Sequence, residues 1–526
     1  MSTHSPKTQS SPAIVPKPWQ TGLGPYYIGL FLWIVYFDQL GLRALPVGGL
    51  MWSVLGAAAA GPLCYLLLFR VPATWGQATR KALPELTTST FGEGGARWIP
   101  GLLLGLAQVA WFAVSVSYAT DLTLRGLAEV RFLEERAFRP LTLGALRLKG
   151  PIFLATALLW SVIAGLIGRK FVRLVAAIMY IFPVFPAILL GGTMMAMLGG
   201  LRSFTTTGLD PLGFPVPRGR EFFWSLTLVA QLVLGFFAMA GALGADWGAA
   251  TTSASDVKVG GWVSVGFAPV VIATISLIAV AGFQGRVNPA PITIDGSESP
   301  LDVRVQRPRA SVSEIRTVGT PPEATFRAIL TDGIGGKVGC GMLMIFGAMA
   351  LAPAVFSAYV FGQSLNASLP RLSRFRWTLV GIGLSLPMTA LGLFDRLEPL
   401  FTVTGALFAP IAACLTAEFV RHKGVWPGPR RGVNLPGLAG WATGLAVGLL
   451  PFAGGRFRTF QPATFWAFLA AFVSYGVVAM LVGESPALEK TLVPDTQDFG
   501  PSASISLPTA PTTSSSTDSP QGEGSP

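Results

Sequence analysis

Residues 98–121 read WIPGLLLGLAQVAWFAVSVSYATD, and from Trp98 to Thr120 the stretch carries no Asp, Glu, Lys or Arg. At helical rise, roughly 20 apolar residues cross the ~30 Å hydrocarbon core of a bilayer, so this block is read as a transmembrane helix. Blocks of the same kind recur along the whole chain. Barrel strands would instead give short alternating segments. The 526 residues are 51% hydrophobic and 12% charged, about half the charge of an ordinary soluble domain. The apolar residues therefore face lipid as well as a core.

Setting apolar blocks against polar breaks gives about twelve spans. They lie near 26–42, 47–69, 98–121, 151–168, 173–199, 221–245, 260–283, 338–365, 376–394, 398–420, 434–453 and 464–483. The first 25 residues are polar and Pro/Ser-rich, with no cleavable signal pattern, and are read as a disordered cytoplasmic tail. The transporter-like membrane body covers 26–483. Within it 284–336 is polar, rich in Pro, Ser, Thr and Arg, and too long for a connection, so it is read as a disordered external insertion. Residues 484–526 are Ser/Thr/Pro-rich and are read as a second disordered cytoplasmic tail.

The net charge of +12 does not point to nucleic acid, because the basic residues sit in short loops between spans. Such residues are retained on the cytoplasmic side during insertion. Arg80, Lys81 and Arg97, then Arg169, Lys170 and Arg173, then Arg371, Arg374 and Arg376, and finally Arg421, Lys423, Arg430 and Arg431 all share one side if the amino terminus is cytoplasmic. The third loop departs from this, with Arg131, Arg136, Arg139, Arg147 and Lys149 opposite, diluted by Glu129, Glu134 and Glu135. Cys64, Cys340 and Cys414 fall inside apolar blocks without ligand spacing and are expected as free thiols.

An ionisable residue at membrane depth is costly, so each one is weighed individually. Asp38, in Tyr36-Phe37-Asp38-Gln39-Leu40-Gly41, has two readings. It caps a turn near the interface or pairs with Arg43, or it is an ion or proton site at a helix break. Asp246, at the inner end of span six, is read as structural in the first place. In span three, Gln108 and Trp111 share a helical face, joining an amide that reads a hydrogen-bonding edge to a ring that stacks. Span six carries Gly235-Phe236-Phe237, then Gly241 and Gly244, glycines that mark either a break or close packing. The chain has no HExxH, GxSxG or P-loop, and its histidines are His4 and His422. No enzyme activity, cofactor or metal is expected.

Together these stretches resemble the nucleobase–cation symporter 1 family, in particular its cytosine permease branch, as a divergent member. Ser89-Thr90-Phe91-Gly92 leading to Gln108-Val109-Ala110-Trp111-Phe112 is similar to that family's loop and third helix. Gly241-Ala242-Leu243-Gly244-Ala245-Asp246-Trp247 resembles the end of its sixth. Gly405-Ala406-Leu407-Phe408-Ala409-Pro410 through Ala417-Glu418-Phe419 resembles its tenth, and Val433-Asn434 fits ahead of the eleventh. The matches keep their order over roughly residues 25 to 480. The resemblance implies an all-α polytopic membrane protein of about twelve helices, a LeuT-type five-plus-five inverted repeat with two extra helices, and both termini in the cytoplasm of a plasma (inner) membrane. It implies a small-molecule substrate, a planar base held between Trp111 and Phe236 or Phe237. Gln108, backbone near Gly235 and the span-eight residue Phe356 complete that site.

The family's span eight carries Thr and Asn, whereas here Ala352-Pro353-Ala354-Val355-Phe356-Ser357-Ala358-Tyr359 keeps only Ser357 and Tyr359 polar. This argues against a sodium site built from two hydroxyls. Asp38, flanked by Phe37 and acting with Ser357, is the substitute group for a coupling proton, with sodium as the other candidate ion. The leading expectation is symport of a nucleobase-like heterocycle. The rivals are a transport-inactive sensor or interaction protein on the same fold, and a membrane enzyme, the latter disfavoured by scarce carboxylates and histidines at depth. Lipid is the surrounding partner, and the oligomeric state is not legible.

One prediction follows from the loop charges. Reporter fusions at both tails should read cytoplasmic and one at Glu298 external. A cytoplasmic signal at Glu298 would sink the twelve-span topology.

Overall fold

A backbone surrounded by lipid must satisfy its own N–H and C=O groups, and the apolar blocks do so as helices. The computed structural model describes residues 16–22, 35–133, 139–144, 146–170, 178, 184–206, 219–287, 325–393, 397–486 and 488. The helices are α1 (Val35–Gly41), α2 (Leu45–Thr79), α3 (Thr88–Glu129), α4 (Pro151–Lys170), α5 (Val184–Ser203), α6 (Glu221–Ala242), α7 (Gly244–Ala249), α8 (Ala254–Val287), α9 (Gly336–Ser368), α10 (Arg374–Ala390), α11 (Glu398–Arg421), α12 (Leu435–Gly448) and α13 (Ala463–Leu481). Among the described residues, nine helices are long and apolar enough to cross a membrane: α2 to α6, α8, α9, α11 and α13. Among the described residues each expected span overlaps a helix, span one through Val35–Gly41 and span five from Val184 onward. The third loop holds a small antiparallel hairpin, β1 (Leu141–Leu143) with β2 (Leu146–Leu148). The three cysteines are free and buried.

The centre is α6, 83% buried over its most apolar window, against 22% for α5. On one side α6 packs along α2 and on the other along α11. Helix α3 packs along α9, which also meets α4 and α10, while α12 and α13 pair beside α11.

Four boundaries differ from the sequence reading, each for a physical reason. Helix α2 runs on to Thr79 because Trp75 is buried and donates its indole N–H to Gly424 O at 2.8 Å. Helix α3 begins at Thr88, since Ser89 and Thr90 are not solvated loop residues but ligands of a buried carboxylate. Span six ends at Ala242, and a turn at Leu243 separates it from α7. The insertion expected over 284–336 is narrower: α8 continues to Val287, and Phe326–Ala328 and Ile329–Ile334 form a helical turn before Gly335 (φ 73°) opens α9. Phe326 is buried there, edge-on to Phe37 (4.9 Å) and Phe346 (4.8 Å). Residues 288–324, most of the 1–25 tail, residues 26–34 of span one, 173–177 and 179–183 of span five and the tail from Glu489 lie outside the described residues.

The face that carries the basic loops is closed by a polar cluster. Glu418, at the end of α11, is fully buried; it accepts from Ser89 Oγ at 2.9 Å and from Thr90 Oγ1, and pairs with Arg430 at 3.3 Å. Arg430 also donates to Ser89 O (2.8 Å) and Ser485 O (3.0 Å) and pairs with Glu484 at 2.5 Å. Asn434 donates to Thr90 O (2.8 Å) and accepts from Ser485 N (3.0 Å). Residues 484–486 and Leu488 are therefore strapped along the α11–α12 loop, where a free tail is expected from composition; Leu488 N reaches Pro429 O at 2.9 Å.

Removing one member of a buried pair strands the other charge at a cost of about 3–5 kcal/mol. Arg430→Met should therefore lower the thermal midpoint in detergent sharply, and adding Glu418→Gln should recover part of the loss. A double variant no better than the single one would show that the Glu418–Arg430 pair is not the coupled element.

Candidate functional site

Three helical faces converge on a small cavity. From α3 come Gln108, Trp111 and Ser115, spaced so that they share one face. Helix α6 contributes Phe236, Met239, Ala240 and Leu243 at the same spacing, ending at the turn before α7. From α9 come Pro353, Phe356 and Ser357. Among the described residues the lining carries no ionisable side chain.

Two polar groups of the wall have no hydrogen-bond partner among the described residues. These are Gln108 Oε1 and Trp111 Nε1, both buried, while the Gln108 amide N–H₂ meets the weak acceptor Met239 Sδ at 3.5 Å. Leaving a buried donor and acceptor unmade costs about 1–3 kcal/mol each. An occupant that supplies one acceptor and one donor recovers that energy.

The expected stacking slot is differently built. Trp111 and Phe236 touch edge to face, centroids 5.1 Å apart at 78°, so no base fits between them in this conformation. The ring parallel to Trp111 is Phe401 of α11, at 5.9 Å and 16°, which also lies edge-on to Phe236 at 5.4 Å. Phe401 was not identified from the sequence. It lies early in span ten, far along the chain, and no local pattern marks it. Phe237 is fully buried against Phe236 and does not line the cavity.

Gly235 also lies behind the wall. Its carbonyl accepts from Thr404 Oγ1 at 2.9 Å, and a Cβ added there would sit 2.4 Å from Phe401 O. It is the close approach of α6 to α11, so the backbone contact expected at Gly235 is a packing contact. The break in span six falls at Leu243, eight residues later.

Asp38 is outside the cavity lining. Its carboxylate accepts from Phe326 N at 2.8 Å, and beside it Phe37 packs on the Phe326 ring, so the two together hold the segment that leads into α9. Arg43 pairs with Glu398 of α11. Asp246 accepts from Leu83 N at 3.2 Å, at the start of the one-turn helix Leu83–Leu86.

No family model matches the chain, and no curated protein does. Among solved structures it is similar to the inward-facing conformation of Mhp1, with TM-score 0.56 and 15% identity over 90% of this chain and 94% of that one. It is also similar to a closed conformation of Mhp1, a nucleobase-cation-symport-1 family transporter with bromovinylhydantoin bound: TM-score 0.53 and 15% identity over 91% and 97% of the two chains. A Na+-coupled sialic acid symporter in a substrate-bound outward-open state gives TM-score 0.50 and 11% identity over 90% and 91%. Likeness at these identities is likeness of fold. The chain is an all-α, multi-pass integral membrane protein with the LeuT-type transporter fold, five helices plus five inverted and two more.

Proposed function

We propose that the protein is a secondary transporter that imports a small, uncharged, planar heterocycle of nucleobase type across the plasma membrane, driven by a cation gradient. The observation that carries the reading is the unpartnered pair Gln108 Oε1 and Trp111 Nε1, set in an otherwise apolar and aromatic wall. A heterocycle that carries both a hydrogen-bond donor and an acceptor offers a partner to each of these atoms, in a wall that also includes the rings of Trp111, Phe236 and Phe356. The solved structure with bromovinylhydantoin bound, which shares this fold, supports a ligand of that shape.

Coupling enters through span one. Protonation of Asp38 would weaken its hold on the Phe326 N–H, which links ion binding to the segment that closes onto α1 and α9. Ser357, a hydroxyl in the α9 wall, is proposed to act with Asp38 in coupling. In this reading residues 1–25 and 484–526 begin and end in the cytoplasm and the 284–336 region faces outward.

The test is uptake of labelled bases by cells and proteoliposomes. Base stacking on an aromatic ring is worth about 1–3 kcal/mol, so Trp111→Ala should weaken affinity roughly five- to a hundred-fold. Gln108→Leu should lose selectivity for the hydrogen-bonding edge. Under imposed sodium and pH gradients, Asp38→Asn should keep exchange and lose accumulation. Normal binding by Trp111→Ala would remove the cavity from the proposal, and wild-type accumulation by Asp38→Asn would leave Asp38 as a cap alone.

A further inference from the structure

Helix α6 runs down the cavity wall through Phe236, Met239 and Ala240 to Leu243. One turn further, Trp247 of α7 stacks on Phe356, the cavity ring of α9, at 5.9 Å and 20°. Trp247 itself is not in the lining. The helix that carries it is fixed to the face of the basic loops. Asp246, the preceding residue, holds Leu83 N, and Arg80 Nη1 donates to Ala249 O at 3.0 Å. The fit against the end of α2 is close on both sides. A Cβ on Gly76 would lie 2.0 Å from Ala245 O, and one on Gly248 would lie 2.0 Å from Ala73 O. So α7 is packed on α2 and the Arg80 loop, while Phe356 belongs to α9, which packs along α3.

From this geometry we infer that Trp247 is a positioning residue that floors the cavity. By stacking on Phe356 it closes the route between α7 and α9 towards the Arg80 face, and parting of this ring pair opens that route. The inference rests on reading the cavity as a transport site. It is tested without a substrate, so its failure is separate from a failure of uptake.

The parent for the test carries Ser357→Cys as a reporter in the cavity, with Cys64, Cys340 and Cys414 replaced by Ala. A membrane-impermeant methanethiosulfonate reagent is added from the Arg80 face or from the opposite face, in inverted vesicles and intact cells. Aromatic pairs contribute about 0.5–1.5 kcal/mol beyond burial. Trp247→Ala should therefore label up to about tenfold faster from the Arg80 face and at the parent rate from the other. Trp247→Phe should restore the parent rate, which a general loosening of the fold would not allow. Phe356→Leu removes the same stack from the α9 side and should reproduce the effect, including where Trp247→Ala fails to fold. The inference is overturned if Trp247→Ala and Phe356→Leu label at the parent rate from the Arg80 face, or speed up equally from both faces.

Discussion

A polar group that loses water inside a lipid-surrounded protein must find a partner, because leaving it unmade costs several times what an ordinary hydrogen bond contributes net. That asymmetry organises this molecule. It turns the described apolar blocks into helices, since only helices and closed barrels satisfy their own backbone in hydrocarbon. It assembles Ser89, Thr90, Arg430 and Asn434 around the buried Glu418 and its neighbours, drawing residues 484–486 along with them. It also explains why Gln108 and Trp111 are the residues on which the proposed ligand site rests: each leaves a polar atom unmet on the cavity wall.

Much of the fold was legible because hydrophobic block length is a local property. Residues 98–121 need nothing from the rest of the chain to be read as a span. What local reading misplaced was polar sequence whose partners lie far away. Ser89-Thr90-Phe91 looked like a loop because its polarity is answered by Glu418 and Asn434, more than three hundred residues on. Phe326 looked like the end of a disordered insertion, and its ring is held between Phe37 and Phe346.

The site was legible to a different degree. Gln108 and Trp111 share one face by helical spacing alone, and that face does look into the cavity with Phe236, Phe356 and Ser357. Gly235 and Phe237 were chosen from the same segment and point elsewhere, because a helix packed on both sides presents only some of its residues to the cavity. Phe401 was invisible because its role depends on α11 crossing α6 at Gly235, a tertiary fact with no trace in its neighbours. Asp38 was seen as an ionisable group at depth, but the amide it holds belongs to a segment that no periodicity connects to span one.

The displacement of the span-six break from Gly235 to Leu243 ties these pieces together. Were α6 interrupted at Gly235, the unsatisfied backbone would lie against α11, where the Phe401 carbonyl leaves no room for even a methyl group. Placed at Leu243, the break lies at the lower edge of the cavity and detaches α7 from the rigid contact with α11. Helix α7 then takes its position from α2 through the glycine contacts, from Leu83 through Asp246, and from α9 through the Trp247–Phe356 stack. Of these three attachments, the first is a close backbone fit, the second a hydrogen bond from a backbone amide to a carboxylate, and the third a pair of rings. A motion that separates α2 from α9 would therefore part the rings first and leave the backbone contacts intact.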